Sequence, residues 1–336
     1  MSRKSSLFIV FSLVLCFGLS LVVFSAAPVD AKMTIIKAIS AWGKNHDGVK
    51  GEYLPYIARA NKMLAEKYPG EFKIKYIGGP EAVPGKDQPE ALRKGIVDMY
   101  YGTAAYYAGL APAANCLKLS QLTSQGEKDS GADAILDRIH RAKLNATYLG
   151  ALGSQLPFQL YTVKKVTSVD QLKGLRIRTS PMYVDFLKAL GATPVSTKPG
   201  DVYQALERGV VDGMMWPFFS IRGWGWHEVA KYVVGPGFYK VSHPLLVNVK
   251  TWNKIPKKVQ DVLMEALRLE VIQIDANTEK DIKNEYVLLK KAGMEIIEFS
   301  PADTKKYLDM AYAEGWKGQL KMEQEDTTKL RKLLSK

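Results

Sequence analysis

The chain has 336 residues, with 47 Lys and Arg against 34 Asp and Glu and a formal net charge of +13. Its lysines are scattered, with no run of five or six, so the charge reads as a basic solvated surface and argues against a nucleic-acid partner. The two cysteines, Cys16 and Cys116, fall on opposite sides of the cleavage site described next, which leaves the mature chain one thiol and excludes an internal disulfide.

In chain order, Arg3 and Lys4 precede an apolar run from Leu7 to Phe24 and then Ser25-Ala26-Ala27-Pro28-Val29-Asp30-Ala31. Small residues at Val29 and Ala31 predict a secretory signal over 1–31, cleaved after Ala31. The alternative is an uncleaved membrane anchor, because the run is just long enough to span. Cys16 sits mid-run after Leu15, which does not suit a lipoprotein site. Export without disulfides points to the periplasm of a Gram-negative envelope. The remaining chain of roughly 305 residues allows two domains of ordinary size.

Met33 to Ile39 reads as a first strand, followed by Trp42. Val49 to Lys67 has helical spacing, and Phe72 to Ile77 alternates as a half-exposed strand that ends at Gly78-Gly79-Pro80. Ala91-Leu92-Arg93-Lys94-Gly95-Ile96-Val97-Asp98-Met99-Tyr100 is echoed by Ala205-Leu206-Glu207-Arg208-Gly209-Val210-Val211-Asp212-Gly213-Met214. Each copy reads as a helix end, a glycine stop and a short apolar strand, which implies two α/β units. Gly174 to Arg178 is a further strand running into Ser180-Pro181, an N-cap with proline at the first helical position. Pro256 to Lys291 predicts one helix of about 36 residues, roughly 54 Å, too long for a single small domain. Two α/β lobes bridged by such a helix suggest a hinged clamshell.

Motifs of catalysis are missing. His46, His140, His227 and His243 show no metal-ligand spacing, and there is no nucleophile elbow, dinucleotide fingerprint or phosphate loop. Arg178 is more informative. It closes a strand where ligands of open α/β sheets sit, and its guanidinium suits a carboxylate; an inter-lobe salt bridge is the alternative. Tyr100, Tyr101, Trp216 and Trp42 fall at other strand ends, as ligand lining or as core. Trp224 and Trp226 read as structural.

The segment Leu172-Lys173-Gly174-Leu175-Arg176-Ile177-Arg178 resembles the DctP-type solute-binding proteins of TRAP transporters (tripartite ATP-independent periplasmic transporters). The likeness continues through Leu190-Gly191-Ala192-Thr193-Pro194 and Val202 to Gly213. The resemblance implies an α/β, two-lobed periplasmic-binding-protein clamshell with discontinuous lobes and a lobe-spanning helix. Lobe I would take 32–155 with about 244–285, and lobe II 156–243 with about 286–336. It further implies a monomeric receptor without catalysis, cofactor or metal, which passes an organic acid to membrane permease subunits. Arg178 matches the family arginine that pairs with the ligand carboxylate. Trp216 stands where sialic-acid-binding members carry asparagine, Phe158 where they carry a second arginine, and Met215 where metal-using members carry glutamate. These departures imply a less polar carboxylate, aromatic or branched, with Trp216 stacking on it, Gln155 donating to it, and Trp42 and Tyr101 completing the lining. An ABC-type or sensory binding protein and a secreted hydrolase are the competing readings.

Overall fold

The computed structural model describes residues 33–153 and 156–335. The predicted signal segment 1–31 and Gln155 lie outside the described residues.

Two mixed sheets carry the chain. Their strands are β1 (Thr34–Ser40), β2 (Phe72–Gly78), β3 (Met99–Tyr101), β4 (Ala146–Leu152), β5 (Phe158–Thr162), β6 (Arg176–Thr179), β7 (Thr193–Ser196), β8 (Gly213–Pro217), β9 (Tyr232–Phe238), β10 (His243–Asn248) and β11 (Glu295–Ile297). The first sheet runs β2-β1-β3-β10-β4 and the second β11-β9-β5-β8-β6-β7. Each contains a parallel trio, β2-β1-β3 or β7-β6-β8, flanked by an antiparallel strand, β10 or β5. The fold is the two-lobed one that the resemblance implies, and each sheet draws strands from separated stretches of sequence.

The sequence echo corresponds to a shared piece of structure. Gly95 and Gly209 both take the left-handed conformation, with φ of 71° and 63°, which lets the chain turn from helix end to strand. Val97 N–H then donates to the Ala91 carbonyl and Val211 N–H to the Ala205 carbonyl. Asp98 ties itself to the neighbouring parallel strand twice: its carboxylate accepts from Lys37 N–H at 2.8 Å and its own N–H donates to the Lys37 carbonyl. Asp212 does the same with Arg176, at 2.9 Å and 2.7 Å. Replacing either aspartate with alanine is expected to lower stability by about 1 kcal/mol, read as a shifted urea midpoint. Arg176→Ala should cost less, because its pair with Asp212 is half-exposed. An equal loss would assign the stabilisation to the ion pair instead of the backbone bond.

The predicted long helix spans Lys257–Lys291. Its first half buries Val259, Val262, Leu263 and Ala266 against Tyr53, Tyr56 and Ile57 beneath the first sheet. Its last turns bury Leu289 with Val202 and Val233 of the second. Arg59 grips Glu270 at 2.9 Å, and Arg222 grips Glu285 through two bonds of 2.9 and 2.7 Å. The helix is thus clipped once to each half of the fold.

A third core lies under the C-terminal helices. Pro301–Met322 starts at Ser300, whose hydroxyl accepts from Asp303 N–H, the usual means of satisfying a free helix-end donor. It packs on Pro112–Leu119 and Val184–Ala189, and the last helix, Glu325–Leu334, packs on Pro112–Leu119 and Ala132–Leu144. No helix among the described residues is long and apolar enough to cross a membrane.

Candidate functional site

The chain passes between the sheets three times: from β4 to β5, from β9 to β10, and along the long helix. All three passages border a cavity of about 720 Å³, through Leu156, Val241 and Ser242, and Glu270 to Asp281. Much of the remaining wall comes from residues at or just beyond the carboxyl ends of parallel strands: Trp42 after β1, Thr103 after β3, Ser180 after β6 and Trp216 near the end of β8. This is where α/β sheets place ligands, because the strand-to-helix turns diverge there. The volume lies within the range of small-molecule sites.

On the second sheet, Arg178 is 4% exposed. Its guanidinium carbon lies 4.8 Å from the centre of the Trp216 ring, and Nη2 donates to the Thr197 carbonyl at 3.1 Å. Nε and Nη1 are buried without a hydrogen-bond partner among the described residues. Burial lowers its proton affinity, while the Tyr183 phenol beside it acts in the opposite direction. Tyr183 in turn donates to the Met215 carbonyl at 2.8 Å. Trp216, Tyr183 and Phe158 line the cavity; Arg178 lies against the Trp216 ring rather than at the cavity surface. Trp226 is buried edge-on to Trp216 at 4.9 Å and supports it from behind, while Trp224 is exposed.

On the first sheet, Trp42 lines the cavity and stacks on His46 at 4.5 Å. Burial first, and then the nearby His243, lower the His46 pKa to about 4, so this ring is neutral at ordinary pH. Tyr101 is fully buried and stands behind the wall. Its hydroxyl donates to Glu52 Oε2 at 2.6 Å and lies 2.7 Å from His243 Nδ1, which is itself 2.9 Å from Glu52. Glu52 and His243 are the members of this triangle that line the cavity. Gly48 fits against it because a Cβ there would sit 2.7 Å from the Tyr101 oxygen. Across the cavity, Ser220 donates to Asp47 at 2.6 Å, joining the segments that follow β8 and β1.

The structure therefore brings Trp42, Trp216 and, behind Trp216, Arg178 around one cavity, and it sets Tyr101 one layer back. Sequence reasoning missed Glu52, His46, His243, Tyr183, Asn115 and Lys118 as wall residues. A signal existed for the last two: within Pro112–Leu119 they alone are polar, three residues apart.

The model of the bacterial extracellular solute-binding proteins, family 7 (DctP), matches residues 54–318. A monocarboxylate 2-oxoacid-binding periplasmic protein of Nostoc sp. is 28% identical over 217 residues, 61% of this chain and 58% of its own length. The chain spans 43% and 58% of the length of two curated relatives that it matches. A TRAP periplasmic solute-binding protein of Desulfovibrio salexigens with bound orotic acid superposes with a TM-score of 0.74 at 18% identity, covering 89% of this chain and 97% of the other. A TRAP solute-binding protein of Bordetella bronchiseptica with copurified calcium and picolinate gives 0.73 at 21%, covering 90% and 92%. With a two-sheet fold, a cavity at the strand ends and a family match over most of its length, the chain belongs to the bacterial extracellular solute-binding proteins of family 7.

Proposed function

We propose that this chain is a periplasmic receptor that captures a small organic acid and delivers it to the membrane permease of a TRAP transporter, acting as a monomer and without catalysis. The observation that carries the reading is Arg178: a buried guanidinium beside a ligand-sized cavity, with two nitrogens that have no geometric hydrogen-bond partner among the described residues. A buried charge left unpaired is costly, and a ligand carboxylate relieves that cost with paired, charge-assisted bonds. For the acid to reach Arg178, the Trp216 ring shifts aside, and the indole then covers the ligand's flat part. Phe158, Met182 and Leu156 add apolar wall, which suits an aromatic or branched acid. Gln155 is the proposed donor from the β4–β5 passage. The acids named for the relatives, orotate, picolinate and 2-oxoacids, agree with this chemistry. We draw the lobes at 32–155 with 244–285 and at 156–243 with 286–336, the long helix and C-terminal helices tying the two together.

The test is a thermal-shift panel of orotate, picolinate, several 2-oxoacids, glucuronate and neutral sugars. A ligand at a hundred times its dissociation constant adds about 2.7 kcal/mol, a clear rise in melting temperature. Stabilisation by carboxylates and not by neutral sugars is expected; stabilisation by sugars alone would overturn the reading.

A further inference from the structure

The cavity wall holds a buried cation that the proposed capture at Arg178 leaves without a task. Pro112–Leu119 is a 3-10 segment, and with three residues per turn its positions i and i+3 eclipse. Asn115 and Lys118 accordingly emerge on one side, and both line the cavity, while Cys116 and Leu119 turn into the core. Lys118 is 7% exposed. Its ammonium donates to the Met182 carbonyl at 3.0 Å, across from the turn that follows β6, and lies 5.9 Å from the Tyr239 ring centre. An ammonium has three donors, so two remain beside the cavity.

Its neighbours show what is unusual about it. Lys240, whose N–H bonds the Lys118 carbonyl, is equally buried and also lines the cavity, but it is ion-paired with Glu127. Lys86 lines the cavity too, and is solvated. Lys118 alone of the three is buried with no carboxylate in ion-pair contact among the described residues, and Asp185 reaches it only through its field. Phe158, which stands where sialic-acid-binding members carry a second arginine, supplies no charge to this wall.

We propose that Lys118, with the Asn115 amide beside it, is a second anchor for the bound acid, holding an anionic oxygen from the wall that Pro112–Leu119 forms. This rests on the reading that the cavity takes an acid. Burial lowers the Lys118 pKa to about 8, with Cys116 and Asp185 acting to raise it; Tyr239 and the Lys240–Glu127 pair also face it. In the empty protein the ammonium is therefore charged below about pH 8 and loses its proton above it. An anion restores the charge, so binding takes up a proton above that pH and weakens as pH rises.

The experiment measures, by calorimetry, dissociation constants of picolinate, orotate, glucuronate, glycerol 3-phosphate and inorganic phosphate at pH about 6.5 and about 9.5. For whichever anion binds, the wild-type constant is expected to rise about tenfold across that span. Lys118→Met should bind about tenfold more weakly at the lower pH and lose the pH dependence, whereas Lys118→Arg should bind well at both. A structural role would not give that rescue. Unchanged affinity and pH slope in Lys118→Met, with its melting temperature as the folding control, would overturn the inference; so would a Lys118→Arg variant that folds but retains the wild-type slope. If only phosphates bind, and do so through Lys118, the carboxylate reading fails and the anchor stands. If no anion binds, both fall.

Discussion

Replacing Arg178 with methionine is expected to raise the dissociation constant of the captured acid at least about a hundredfold, on the order of 3 kcal/mol, without lowering the melting temperature of the empty protein. The two halves of this result have one cause. Arg178 is buried against Trp216, two of its nitrogens have no geometric hydrogen-bond partner among the described residues, and Nη2 donates to the Thr197 carbonyl. In the proposed capture, removing the charge takes away the grip on the carboxylate. It also removes a desolvated ion that the Thr197 carbonyl, the Trp216 ring and the Tyr183 phenol compensate only in part, and an apolar side chain of similar volume is at least as stable in such a place. A salt-bridge arginine would behave oppositely, because its loss would strand a buried acid. Calorimetry with the acid found in the thermal-shift panel, together with a melting curve of each protein, separates the two. A methionine variant that melts well below the parent and still binds the acid would make Arg178 structural.

The largest loss of stability is expected at Gly213→Ala. A Cβ there would stand 2.4 Å from the Tyr161 carbonyl oxygen, 3.1 Å from Thr162 Cγ2 and 3.2 Å from Ile177 Cδ1. The first of these is backbone of β5, the second belongs to the residue paired with Gly213, and the third to β6 on the other side. A flexible side chain could yield, but a backbone carbonyl in a central strand moves only with its sheet. The expected cost is about 3 kcal/mol, or roughly 5 °C in melting temperature for a protein of this size. Gly200→Ala, with nothing within 4 Å of the added atom, serves as the neutral control. Equal stability of the two variants would mean that β5 and β8 separate more easily than their register implies.

How far the sequence could be read depends on the distance over which each feature is encoded. The strands from Met33, Phe72 and Gly174, the helix ending at Lys291 and the repeated glycine–aspartate turns are local patterns, and the structure has them within a residue or two. The repeat carried more than its apolar spacing revealed, since Asp98 and Asp212 proved to make the same pair of backbone bonds. Arg178 and Trp216 could be placed at strand ends from the sequence; Trp216 lines the cavity, and Arg178 lies against its ring. Tyr101 was located equally well, yet it lies behind the wall. Its placement depends on Glu52, 49 residues away, and His243, 142 away, and no periodicity reports contacts across such separations. For the same reason Glu52 and His243 themselves went unnoticed: Glu52 reaches the cavity from the helical turn Val49–Tyr53, and His243 because β10 inserts beside β3. Lys118 was hidden differently, since a lysine in an apolar stretch reads as a surface position until burial is known.

That insertion has a consequence for the order in which the molecule can assemble. β10 lies between β3 and β4, yet it is translated only after nine other strands, five of them belonging to the second sheet. Until His243–Asn248 emerges, β4 has no partner in its own sheet and β3 has an open edge. Such distant pairings form slowly, because a long loop must close before any contact rewards it. A nascent chain of this design cannot complete its first sheet early. It stays open until nearly three quarters of its length is made, a state in which it can still be threaded or bound by a holding chaperone.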